Sequence, residues 1–271
     1  MADDRLSAAR HAASVLRRSH EALTAEVGDL TPEQLAAPAY PTEWSIAQVL
    51  SHLGSGAEIF GIILAAGAAG ASEAPGRETY QPVWERWDAR SAQEQRDGYV
   101  VATEQLLDAI DGLNDVTAQA WGLHLYGSHA DLGTFVAYRV SEHALHSWDV
   151  LVALDPSAQV APEAVALIVP GLPVTAGWSG KPTELPGWSV VLSTTTEPRV
   201  VAAATVGTEV RLQLLPHGAE PDAPVDGLVE LPAEALVRLV YGRLDPDHTP
   251  AGITQSGGRG LTDLRLVFPG L

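Results

Sequence analysis

The stretch Gly133-Thr134-Phe135-Val136-Ala137-Tyr138-Arg139-Val140-Ser141-Glu142-His143-Ala144-Leu145-His146-Ser147-Trp148-Asp149-Val150-Leu151-Val152-Ala153-Leu154 decides the fold. Phe135, Tyr138, Leu145, Trp148 and Val152 return to one side of a 3.6-residue helix, and no proline interrupts them. Working outward, three earlier segments carry the same period. Leu6, Ala9, Ala13, Leu16, His20, Leu23 and Val27 stripe the region from Asp4 to Val27, before Asp29 to Pro32 breaks it. Ser45 is a good N-cap, with Trp44 just before it, for a helix reaching about Ala66 whose Ile46, Val49, Leu50, Leu53 and Ile63 turn inward. Ser91 and Glu94 have capping-box spacing and open a third helix through Val100, Leu107 and Ile110 to Leu113. Four long amphipathic helices without strand-like alternation predict a helix bundle over residues 1–155.

Composition then shifts. Pro156, Pro162, Pro170, Pro173, Pro182 and Pro186 predict a linker over residues 156–187 with one short helix near Glu163 to Val169. Beyond it the period becomes two, and Trp188 to Leu192, Val200 to Val206, Val210 to Leu214 and Leu228 to Leu231 read as strands. Pro232 suits the first turn of a helix ending near Tyr241. The fold class is therefore multidomain: an all-α bundle followed by a small α+β domain at 188–271.

Acidic residues number 34 against 16 basic ones, a formal charge of −18, so a face that neutralises nucleic-acid phosphates or coats an anionic membrane is not expected. Met1-Ala2-Asp3-Asp4 lacks the basic start of a signal peptide, and the run from Ile59 to Gly70 is too short and too rich in Ala and Gly to span a bilayer. A cytoplasmic protein is expected. Cysteine is absent, which removes thiolate metal sites and a protein thiol nucleophile. Any metal must be held by nitrogen and oxygen.

Glu142 and His146 lie one turn apart on the same helix face, where both can reach one ion, although the spacing alone equally describes a solvated face. Tyr138 and Asp149 extend that polar stripe beside Leu145 and Trp148. His52, mid-helix next to the inward Leu53, is either a satisfied core histidine or the third member of a His2Glu set with an open position, the pattern of a catalytic zinc site. His143 points about 100° away from Glu142 and reads as a neighbour of the ligands or a surface group. His20 reads as buried and hydrogen-bonded, and His124 and His129 lie in a loop that could border the pocket mouth. Asp149 either orients His146 or is an exposed neighbour, and Arg139 pairs with Glu142 or Asp149 if no metal is held. His11, His217 and His248 have no partner that the sequence identifies.

Trp44-Ser45, His52-Leu53-Gly54 and Arg139-x-x-Glu142-x-x-x-His146-x-Trp148-Asp149 together resemble the mycothiol-dependent maleylpyruvate isomerase family, whose N-terminal domain is a DinB-like four-helix bundle. Leu236 to Arg243, a strand near Ile253 to Ser256 and the ending Leu261 to Pro269 resemble that family's sterol-carrier-like second domain. The resemblance implies a divalent metal, usually zinc, held by His52, Glu142 and His146, with the small thiol mycothiol as cofactor or co-substrate. It implies a thiolate that adds to the double bond of a small activated electrophile. An isomerase expels the thiol after rotation about the resulting single bond, and an S-transferase keeps the thioether. Arg243 is the candidate partner for a substrate carboxylate or oxyanion; its alternative is a surface arginine at a helix C-terminus. Residues 73–88, with Trp84 and Trp87, match none of the family's motifs and are placed as shapers of the substrate pocket. Two other functions stay open: a non-catalytic small-molecule or lipid binder with a vestigial metal site, and a zinc-water hydrolase, although no H-E-x-x-H motif is present.

Overall fold

The computed structural model describes residues 2–40, 43–125, 127–183, 187–216, 219 and 224–270. His217 and Pro186 lie outside the described residues. The chain divides into two compact units, Met1–Gln159 and Val160–Leu271.

In the first unit α1 (Ala2–Val27) and the short α2 (Pro32–Leu35) precede α3 (Ile46–Ala68), α4 (Arg77–Asp88), α5 (Ala92–Asp111) and α6 (Asp115–Ala120). A hairpin of β1 (Gly122–Leu125) and β2 (Ser128–Asp131) leads into α7 (Leu132–Leu154). The four helices expected from the apolar stripes are α1, α3, α5 and α7. Ser45 and Ser91 each close a complete capping box, with Gln48 and Glu94 as the returning side chains, so the starts of α3 and α5 are set by their own sequence. Packing pairs α1 with α7 and α3 with α5. Leu23, Val27, Leu35, Ile46, Val49, Leu50, Leu53, Tyr99 and Val150 form one of the buried clusters.

Two elements of this unit differ from expectation. The region at 121–129 is a hairpin rather than a loop: its strands are only four residues each, too short for alternation to declare them, and Gly127 supplies the turn with φ +82°. The helix α4 carries Pro82 inside it, which hides its period. Its docking is legible from the other side, because a Cβ on Gly54 of α3 would lie 2.0 Å from the Trp87 ring. Gly67, further along the same helix, receives Trp121 in the same way, with 2.4 Å to the indole. Helix α3 is long and apolar enough to cross a membrane by length and composition, contrary to the expectation from Ile59 to Gly70; here it is the core helix packed along α5.

The second unit begins with α8 (Pro162–Ile168), a 3-10 turn (Val169–Gly171) and α9 (Leu172–Ser179). The expected linker is therefore packed structure, burying Ala164, Val165, Ile168, Leu172 and Ala176. Pro162, Pro170 and Pro173 read as linker signals because they punctuate, yet each sits in the first turn of its helix, where the missing N–H costs nothing. Strands β3 (Trp188–Thr194), β4 (Val201–Val206), β5 (Val210–Leu215), β6 (Gly227–Leu231) and β7 (Thr254–Gly257) form one sheet in the order β5-β4-β3-β6-β7. All neighbours are antiparallel except β3 and β6. Helix α10 (Ala233–Val240), buried along its whole length, packs on β3, α8 and α9, and α11 (Leu261–Val267) is the last helix of the chain.

Candidate metal centre

His52 is in the second turn of α3, and Glu142 and His146 are a turn apart on α7, so the α3–α7 contact brings the three together. The imidazole Nε2 atoms of His52 and His146 face one carboxylate oxygen of Glu142, at 3.5 and 3.9 Å. One donor atom from each residue lies within 4.8 Å of the others, a grouping that could hold a metal ion. Donors bound at about 2.1 Å around a tetrahedral ion are about 3.4 Å apart, so these separations are long for hydrogen bonds and close to those of shared ligands. Two imidazoles and a carboxylate also make a donor set suited to zinc and its neighbours.

The surroundings fix the rings. Asp149, fully buried, accepts a hydrogen bond from Nδ1 of His146 at 2.8 Å, which makes Nε2 the nitrogen that faces Glu142. Asp149 is thus the orienting partner and not an exposed neighbour. Trp44, placed by the Ser45 cap, stacks on His146 at 6.3 Å between ring centroids and 19° between planes, and lies 5.4 Å from His52. Burial would push the Glu142 carboxyl up, but contact with His52 and the charges of His146 and Arg139 outweigh it and hold the group at about 2. Glu142 is a carboxylate at neutral pH. The buried Arg139 guanidinium, whose charge helps to hold it so, donates to the Leu53 carbonyl at 2.6 Å.

Beside the donors lies a cavity of about 400 Å³ lined by Trp44, Gln48, Ser51, His52, Ser55, Trp84, Asp88 and Gln95. Trp84 and Asp88 come from α4, the helix seated by Trp87 on Gly54 and by the Trp87 Nε1 hydrogen bond to Glu58 at 3.0 Å. Neither His124 nor His129 lines it; both are on the hairpin, beyond the other end of α3. His143 is fully buried instead of near the ligands' open side: Nε2 meets the Tyr99 hydroxyl at 2.9 Å, and Nδ1 meets the hydroxyls of Ser19 and Ser147 at 2.9 and 3.1 Å. His20 meets the same Tyr99 hydroxyl at 3.0 Å. Desolvation first, then Arg139, drives both imidazoles below their usual range, His20 to about 4. In the second unit Arg243 is buried, with Nη1 donating to the Tyr241 carbonyl at 3.1 Å, and His248 pairs with Asp245 at 2.8 Å. Gln48, Ser51, Ser55, Asp88 and Gln95 carry no site signal in the sequence, because their polarity is ordinary until the fold gathers them.

A solved structure described as the mycothiol-dependent maleylpyruvate isomerase is similar in fold, with a TM-score of 0.63 at 15% identity over 96% of this chain and 95% of that one. A histidine-to-alanine mutant of the mycothiol-dependent maleylpyruvate isomerase matches with the same score and coverage at 14% identity. No curated protein sequence matches the chain. The sequence model described as the mycothiol maleylpyruvate isomerase N-terminal domain matches residues 16–151, half of the chain and the whole span from His52 to His146. The chain therefore belongs to the mycothiol maleylpyruvate isomerase N-terminal domain family.

Proposed function

We propose that this chain is a metal-dependent enzyme that uses a small thiol, mycothiol, against a small activated electrophile, as a cis-trans isomerase or an S-transferase. The observation that carries the reading is the convergence of His52 Nε2, His146 Nε2 and a Glu142 oxygen beside an open cavity. His52, Glu142 and His146 would hold a divalent ion, zinc in this reading, whose positive charge would lower the pKa of a bound thiol. The absence of cysteine fits a protein whose sulfur arrives with a cofactor.

The chain's own residues divide the remaining work. His52, Glu142 and His146 are the ligands, and Asp149 holds His146 in the tautomer that presents Nε2. Trp44 and Trp84 supply the apolar part of the cavity wall, and Gln48, Gln95, Ser51 and Ser55 offer hydrogen bonds to a polar ligand. Asp88 is the one formally charged group among these lining residues. Arg243 is the residue proposed for a substrate carboxylate or oxyanion, with replacement by alanine expected to raise KM for a carboxylate-bearing electrophile more than for a neutral one.

The test is elemental analysis of tag-free, exhaustively dialysed protein together with turnover assays containing mycothiol. About one divalent ion per chain and thiol-dependent turnover are expected, and His146→Ala should lose both while keeping its helical circular dichroism. Full activity in a metal-free preparation would overturn the reading. Turnover without any thiol would favour activated water, and ligand binding that survives His146→Ala without turnover would favour a binding protein.

A further inference from the structure

The hairpin carries two histidines that the centre at His52 does not use. His52 and the end of α3 at Ala68 are separated by 16 residues of helix, about 24 Å, and the chain leaving α3 runs alongside β1. In the hairpin register His124 stands opposite His129. Leu123, Leu125 and Ala130 are buried, so the alternation turns His124 and His129 together onto the exposed face. The His124 amide donates away from β2, to the Ser72 carbonyl at 2.9 Å. His124 and His129 are therefore a non-hydrogen-bonded pair, the kind in which facing side chains approach most closely. Their ring centroids are 5.8 Å apart with planes at 88°. Gly122 gives the His129 ring room, since a Cβ there would come within 2.8 Å of Nε2. Glu73 bridges His124 in parallel register, which sets an exposed carboxylate in the same row on the same face.

We propose that His124 and His129, with Glu73 beside them, form a second metal site, for a divalent ion of the nickel, copper and zinc group. Two imidazoles suit those ions, and a neighbouring carboxylate offsets part of their charge. The three donors are less converged than those at His52, and being exposed they can turn toward an ion without disturbing the core. An ion there would tie residues 72–73, β1 and β2 to one another, and binding to the folded state alone would raise stability by mass action.

The inference is independent of the proposed enzymatic function, and one experiment separates them. Tag-free His146→Ala protein, dialysed against chelator and then buffer, is titrated with nickel chloride by calorimetry and melted with and without the ion. One nickel per chain at micromolar affinity and a raised Tm are expected. His124→Asn or His129→Asn in that background should weaken binding at least tenfold, and the double variant should abolish both binding and the Tm shift while its metal-free Tm is unchanged. No binding up to millimolar nickel in His146→Ala, or binding that survives the double hairpin variant, would overturn the proposal. Wild-type protein that binds one ion, insensitive to His146→Ala and lost with the hairpin pair, would support this site and remove the centre at His52.

Discussion

The Tyr99 hydroxyl sits between two buried imidazoles, at 3.0 Å from His20 and 2.9 Å from His143, and both rings are kept neutral by burial. For His20 the ordinary value of 6.5 falls to about 4 in the folded chain. Below pH 6.5 the unfolded chain takes up a proton that the folded chain refuses, so stability is full above 6.5 and drains as pH falls toward 4. The loss across that window is about 3 kcal/mol for His20 alone, since each tenfold difference in proton affinity is worth about 1.4 kcal/mol. Urea midpoints should fall between pH 7.5 and 5, and His20→Gln, weaker at neutral pH, should show a flatter slope. At this scale the sequence was partly readable. Glu142 and His146 share a helix face by spacing, which alone equally described a solvated stripe, and His20 stood on an apolar stripe, whereas nothing in the sequence placed His143. Its partners Ser19 and Tyr99 lie on two other helices, and only the fold brings their hydroxyls to its ring.

Among the elements, α4 closes one side of the cavity that α3 and α5 also line. It presents Trp84 and Asp88 to the lining while Trp87 fills the notch over Gly54. Gly54→Ala sets a methyl group 2.0 Å from that ring, so the buried indole or the helix that carries it must shift. A loss of about 1–3 kcal/mol is expected, together with a weaker ligand response and a metal content that stays the same, because His52 is carried by α3 and Glu142 and His146 by α7. Matched thermal melts, metal analysis and ligand titration of the variant check all three. The long helices were legible because caps and stripes act locally, and the short helix expected near Glu163 to Val169 is α8; α4, the hairpin and α9 were not, because Pro82, four-residue strands and the first-turn Pro173 blur local signals. Gly54 was visible in the sequence, but its meaning required Trp87, 33 residues later, to be placed against it.

For the whole molecule, the charge of −18 remains unabsorbed by the site: an anionic electrophile must approach against the overall field, so its KM should fall as salt rises from low ionic strength, unlike that of a neutral one. The order of helix pairing has a different consequence. The first long helix packs along the last, α1 on α7, while α3 and α5 pair between them. During synthesis α3 and α5 can find each other early, but α1, which touches α5 and α6 more lightly, lacks its main partner until α7 is complete, more than a hundred residues later. The donors straddle that final step, with His52 on α3 and Glu142 and His146 on α7. Closing the bundle and assembling the candidate metal centre are thus one event, so a chain stalled with α7 undocked would hold most of its helices and no ion at that centre. In refolding, high-affinity metal uptake should trail the far-ultraviolet signal and keep pace with the burial of Trp148, making the ion a timer for the last stage of folding.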